Sequence, residues 1–174
     1  MSWLHISQID EARTRIAQYV LRTPTLSFAD EDRRFFFKCE NLQSIGAFKI
    51  RGAFSMMTSL PEGRGVVAHA SGNHAQAVAR AAQVLQKHAT IIMPDNAPAL
   101  KRARTEADGA HIVTVGPDSE ERRLEAERRA DEDQLILVPP YDHPLVAAGQ
   151  GTAALELIED APPLDELYCP VSGG

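Results

Sequence analysis

The sequence is poor in cysteine, in aromatic residues and in net positive charge, and it has no long apolar run. Only two cysteines occur among 174 residues, Cys39 and Cys169, and they form no Cys-x-x-Cys pair. That leaves no disulfide framework and no thiolate metal site. Both cysteines sit in apolar stretches that read as strands, so we expect two reduced, buried thiols in a cytoplasmic protein. No stretch approaches the ~18 consecutive apolar residues of a membrane helix. The segment Met1 to Asp10 carries Trp3 and His5 but lacks the basic start and apolar run of a signal peptide. A formal net charge of −6 supplies no broad basic field. Nucleic acid and anionic membranes are therefore poor partners. His5, His69, His88, His111 and His143 share no metal-ligand spacing, and no metal site is expected on them.

What is present is a soluble, globular composition, with 44% hydrophobic and 24% charged residues. The length suits one ordinary domain, or one domain and part of a second. There is no repeat and no low-complexity segment. A first helix is predicted from about Ser7 to Val20, with Ser7 as N-cap, and it is broken by Arg22-Thr-Pro-Thr25. Phe35 to Cys39 reads as a strand of bulky residues. After Gly46 the pattern alternates regularly. Strands are predicted at Val66–Ala70, Thr90–Met93, His111–Val115, Leu135–Val138 and Leu167–Val171. Helices are predicted at the Ala75–Leu85 periodicity, at Ala97–Ala107, at Asp118–Asp131 and at Pro144–Ile158. Short apolar strands alternating with helices imply an α/β fold, a parallel sheet with helices on both faces. Such folds bind ligands at the carboxyl ends of strands.

Three segments carry chemistry. Lys49 lies between Phe48 and Ile50, just after Gly46. An apolar, aromatic setting disfavours the ammonium and frees the amine for Schiff-base chemistry. The plainer reading is a surface lysine at a helix start. Ala70-Ser-Gly-Asn-His-Ala-Gln76 joins a strand to a helix. Its glycine lets the backbone approach a ligand, and the helix start offers N–H groups to a carboxylate. The plainer reading is a polar turn capped by Ser71 or Asn73. Ser172-Gly-Gly174 follows the last predicted strand and suits a phosphate cradle or, equally, a tail. The mixed charges from Glu120 to Arg129 read as a solvated helix face.

Taken together, these segments strongly resemble the serine/threonine dehydratase and serine racemase family of fold-type II pyridoxal-phosphate enzymes. The resemblance rests on Gly46-Ala-Phe-Lys-Ile-Arg-Gly-Ala53 and Ser71-Gly-Asn-His-Ala-Gln76, with a glycine loop after a strand. Cys39-Glu-Asn-Leu-Gln43, Ile92-Met-Pro94 with Ala97, Pro98 and Lys101, and Ala148-Gly-Gln-Gly-Thr152 add to it, in the same order and over essentially the whole chain.

The resemblance implies pyridoxal 5′-phosphate as cofactor and Lys49 as the lysine that holds it and acts as base at the substrate α-carbon. It places Phe48 beside the pyridine ring and Asn73 on the cofactor's 3′-oxygen. Ser71, Gly72, Asn73 and His74 would line the substrate carboxylate site, and Gly173 and Gly174 would open the phosphate loop. The implied reaction is β-elimination from serine, threonine or 3-hydroxyaspartate, giving a keto acid and ammonia. Where many threonine dehydratases carry alanine, the resemblance would make Ser71 a second acid/base, which adds racemisation as an open outcome. Ala47 stands where the family often has serine, and Ser172 stands where its loop is usually glycine. The resemblance also places residues 1–46 in a larger domain, 47–140 in an inserted smaller one, and 141–174 in the returning larger one. It implies a continuation past Gly174 that supplies the rest of the phosphate loop and, in many members, a divalent-metal site. A dimer is common in the family. The chain alone is accordingly expected to bind the cofactor weakly and turn over little. The alternative is a catalytically inactive folded interaction module.

Overall fold

The computed structural model describes residues 4–170. Helix α1 (Ile6–Ile16) leads to an antiparallel hairpin of β1 (Thr25–Ala29) and β2 (Arg34–Lys38), then a single 3-10 turn at Glu40–Leu42. Helix α2 (Lys49–Met57) precedes β3 (Val66–His69), α3 (Asn73–Val84), β4 (Ala89–Pro94), α4 (Ala99–Ala107), β5 (His111–Val115), α5 (Ser119–Glu132), β6 (Ile136–Leu137) and α6 (Pro144–Asp160).

Four strands form one all-parallel sheet in the order β5-β4-β3-β6. Alternate side chains of β3 and β4 serve opposite faces, as a pleated strand requires. Val66, Ala68, Ile91 and Met93 pack with Ala75, Val78 and Ala82 of α3 and with Ile50, Phe54 and Met57 of α2. Val67 and Ile92 pack with Ala126 of α5 on the other side. The expected α/β sheet with helices on both faces is therefore present. The antiparallel hairpin is an addition to it, closed by Asp30, whose Oδ1 accepts from the N–H groups of Asp32 (3.2 Å) and Arg33 (2.8 Å).

The differences from the predicted elements have local causes. Helix α1 is capped by His5 rather than Ser7, and the His5 N–H donates to Gln8 Oε1 (2.8 Å). It stops at Ile16 rather than Val20, and the Tyr19 N–H bonds the Ile16 carbonyl only three residues back (2.8 Å), tightening the turn. Tyr19 is thereby released to stack on Phe54, with ring centroids 4.8 Å apart. Helix α4 starts after Pro98 rather than at Ala97, because proline biases the residue before it away from helical backbone. Leu167–Pro170 forms no strand and carries no ladder partner among the described residues, and Val171 lies outside them. Cys169 there is exposed and Cys39 only half-buried, so the expected pair of buried thiols is corrected, though both are free.

Helix α2 is buried along its whole length. It lies against α6 at a close approach set by glycine: a Cβ on Gly149 would stand 2.6 Å from both the Arg51 carbonyl oxygen and Ser55 Cβ. Arg51 is fully buried and saturates its guanidinium. It donates to Glu40 (both oxygens 2.8 Å), Glu156 (both 2.8 Å), Thr152 Oγ1 (3.0 Å) and the Leu21 carbonyl (3.1 Å). Burial works against its charge, but the hydrogen bonds it donates to Glu40 and Glu156 outweigh it, and the guanidinium pKa is raised. Removing one member of such a cluster strands the others without a partner. Arg51→Met is expected to lower unfolding free energy by about 3–5 kcal/mol, read from urea denaturation; a loss below ~1 kcal/mol would show that the cluster is not what joins these segments.

Candidate active site

The sheet order runs outward from β3 to β5 and then returns to β6 on the other side of β3. The crevice beyond the carboxyl ends of β3 and β6 is thus the switch point of the sheet, where open α/β folds place their ligands. Segment 70–74 leaves β3 and segment 138–141 leaves β6, so both border it.

Lys49 is the first residue of α2 and is only 7% exposed. Its Nζ donates to the Pro140 carbonyl (2.6 Å) and lies 5.6 Å from the Phe48 ring centroid and 5.9 Å from that of Tyr141. Desolvation lowers its pKa below the ordinary lysine value. This is the apolar, aromatic setting expected for an available amine. The surface-lysine reading is set aside.

Ser71 is exposed just past β3, and Gly72 is the N-cap residue of α3. No side chain caps that helix. The simple capping role weighed for Ser71 and Asn73 is therefore not what the fold uses. The first N–H groups of a helix lack intrahelical acceptors and attract anionic groups. Asn73 is exposed at the start of α3, and its Oδ1 accepts a hydrogen bond from the Lys101 ammonium.

His74 points elsewhere. Its ring is 6% exposed, and Nε2 bonds the Val138 carbonyl at 2.9 Å. A carbonyl only accepts, so Nε2 carries the proton. Burial pushes the imidazole pKa down to about 4, partly offset by that hydrogen bond and assisted by the nearby Lys49 and His69. The neutral ring clasps α3 to the end of β6, and only the His74 backbone N–H stands at the helix start. Gly173 and Gly174 lie outside the described residues.

Two groups escaped the sequence. The Pro140 carbonyl and the Tyr141 ring stand beside Lys49, yet Pro139-Pro140 reads in sequence only as a strand terminator. The available signal was topological, since a loop leaving a parallel strand next to β3 must border the same crevice.

With a desolvated lysine, two flanking rings and an uncapped helix start assembled at one switch point, the comparisons with known proteins are direct. Residues 16–174 match the family described as pyridoxal-phosphate dependent enzyme, and the chain belongs to that family. It is 47% identical over 171 residues to the L-threo-3-hydroxyaspartate ammonia-lyase of Saccharomyces cerevisiae, covering 94% of this chain and 52% of that protein. It is 42% identical over 173 residues to the serine racemase of Schizosaccharomyces pombe, covering 95% of this chain and 54% of that protein. The solved structure of maize serine racemase superposes with a TM-score of 0.89 at 41% identity, over 93% of this chain and 51% of that one. The chain spans about half the length of these relatives. The predicted fold-type II arrangement is the one it shares with them. Among the described residues, no helix is long and apolar enough to cross a membrane.

The neutral His74 generates a pH test. Its folded pKa of about 4 lies below the ordinary histidine value of about 6.5, so the unfolded chain takes up the proton first as pH falls. Its contribution to stability is complete above about pH 6.5 and is lost between there and pH 4. The slope is at most ~1.4 kcal/mol per pH unit. His74→Gln keeps a donor for Val138 but cannot titrate, and its urea midpoint should fall less steeply over this range than the wild-type midpoint. Parallel midpoint curves for the two proteins would show that the ring is not held neutral.

Proposed function

We propose that this chain forms the lysine-bearing part of a pyridoxal-phosphate-dependent ammonia-lyase that eliminates water from small hydroxy amino acids such as serine, threonine or 3-hydroxyaspartate. The observation that carries it is Lys49, held desolvated between Phe48 and Tyr141 at the switch point. The similarity to an L-threo-3-hydroxyaspartate ammonia-lyase and to serine racemases supports the substrate class. The residues present fit the cofactor. Lys49 would hold it covalently, the Phe48 ring would flank its pyridine, Asn73 would donate to its 3′-oxygen, and Gly173 and Gly174 would open the loop for its phosphate. When bound, the cofactor supplies an electron sink for charge left on the substrate α-carbon.

The chain's own residues do the rest. The first N–H groups of α3, with Ser71 and Gly72, seat the substrate carboxylate and so orient the α-C–H bond. Lys49 Nζ would accept the α-proton. Departure of the β-hydroxyl and hydrolysis then give a keto acid and ammonia. We assign residues 47–140 to a smaller lobe, with 1–46 and 141–174 belonging to a larger one, so that Lys49 sits at their junction. A divalent metal and a homodimer belong to the whole enzyme in this reading.

Racemisation is a second outcome favoured by one observation. Ser71 is exposed beside a helix that no side chain caps, and its hydroxyl would serve as the second acid/base.

The first experiment is borohydride reduction after incubation with pyridoxal phosphate, followed by peptide mapping. A phosphopyridoxyl adduct on Lys49, lost in Lys49→Ala, is expected. No adduct, even when the remaining half of the fold is supplied, would sink the reading and favour a non-enzymatic module. In the active enzyme, Ser71→Ala is expected to lower racemisation at least ~100-fold, the usual scale for losing an acid/base, while elimination persists. Chiral product analysis over a panel of serine, threonine and 3-hydroxyaspartate reads both, and equal loss of the two activities would remove Ser71 from the proton transfer.

A further inference from the structure

The side chain of Lys101 has no part in the chemistry above, yet it reaches into the site. It lies in the first turn of α4, where its N–H bonds the Pro98 carbonyl (2.9 Å) and its own carbonyl accepts from Thr105 Oγ1 (2.9 Å). From there its stem passes over the turn between β3 and α3. A Cβ built on Gly72 would stand 3.5 Å from Lys101 Nζ and 3.7 Å from its Cδ, in ordinary contact. The ammonium ends on Asn73 Oδ1.

The chemistry of that pair decides what Asn73 can offer. A primary amide carries an acceptor at one end and a two-proton donor at the other, and its partners select which end faces which way. An ammonium has three donors and no acceptor, so it can hold only the oxygen. The Nδ2 group is then what Asn73 has left for a ligand. A cationic partner on the oxygen also polarises the amide and strengthens its N–H donors.

We propose that Lys101 is a positioning residue that locks Asn73 as a hydrogen-bond donor toward an acceptor oxygen of the cofactor at the start of α3. This rests on the cofactor reading above and adds a residue to it. Lys101 acts through Asn73. It favours an anionic oxygen on the ligand, because the amide presents donors only and the ammonium adds positive charge behind it.

The test has one readout without cofactor and one with it. In the cofactor-free protein, Lys101→Met is expected to shift the side-chain amide resonances of Asn73 in a ¹⁵N-labelled sample, with the urea midpoint unchanged. With pyridoxal phosphate added, the same variant should bind about tenfold more weakly, the usual scale of one lost hydrogen bond. It should also move the pH at which the cofactor's visible band changes. Lys101→Arg, which still donates, should restore both readouts. In an Asn73→Ala background, Lys101→Met should cost no further affinity. Unmoved Asn73 resonances, or the same tenfold loss in the Asn73→Ala background, would overturn the proposal. A wild-type protein that forms no reducible adduct at Lys49 would instead overturn the cofactor reading, and with it the ligand assigned to the amide.

Discussion

The guanidinium of Arg51 is the constraint on which the rest of this molecule depends. It is buried, charged and joined to three separate stretches of chain: Leu21 before the hairpin, Glu40 after it, and Thr152 with Glu156 on α6. Lys38 adds a second buried cation, 2.7 Å from Glu156. Two cations thus face Glu156, which is buried, and Glu40, which is half-buried. Burial raises the pKa of Glu40, while hydrogen bonds from Arg51 and Thr23 more than reverse this, so the carboxylate stays ionised. Such a cluster gives little net stability over an apolar core of the same shape, but it tolerates few alternative arrangements. Here it fixes the direction in which α2 starts, and Lys49 stands two residues before the arginine.

Backbone oxygens make the joint at the other side of the crevice. The carbonyls of Val138 and Pro140, in the segment leaving β6, receive His74 from α3 and Lys49 from α2. A short strand of two residues therefore organises the site, because its exit path lies between the two helices that carry the functional groups.

Much of this was legible in the sequence, for reasons tied to particular residues. The four strands of the parallel sheet were visible because Val66–His69 and Ala89–Pro94 are short apolar runs bounded by turn residues. Helix α5 was visible as a charged run of helical spacing, and Asp118 caps it, its side chain accepting from the Glu120 N–H at 3.1 Å. Lys49, Ser71 and Asn73 were singled out through motif resemblance, and the fold brings their segments to one crevice. Helix α2 was missed as an element, although Ile50, Ala53, Phe54 and Met57 follow helical spacing, because the chemistry of Lys49 drew the reading. Strand β1 was missed because Leu26 and Phe28 stay exposed, so no buried face marked it. The bond from the His74 ring to the Val138 carbonyl was not legible, because sequence cannot show which way a ring turns. The clasp from Lys101 to Asn73 spans two helices, and no local pattern encodes it.

The position of Lys49 within α2 has one more consequence. It is the opening residue of its helix, and aligned peptide dipoles leave a partial positive charge at that end. A protonated lysine there is disfavoured by the backbone itself, in the same direction as its desolvation. The neutral amine is thus favoured by where the Lys49 Cα sits as well as by its burial. Availability of the amine becomes a property of helix phase: shifting the lysine one residue along the chain would rotate it about 100° around the helix axis, out of the crevice.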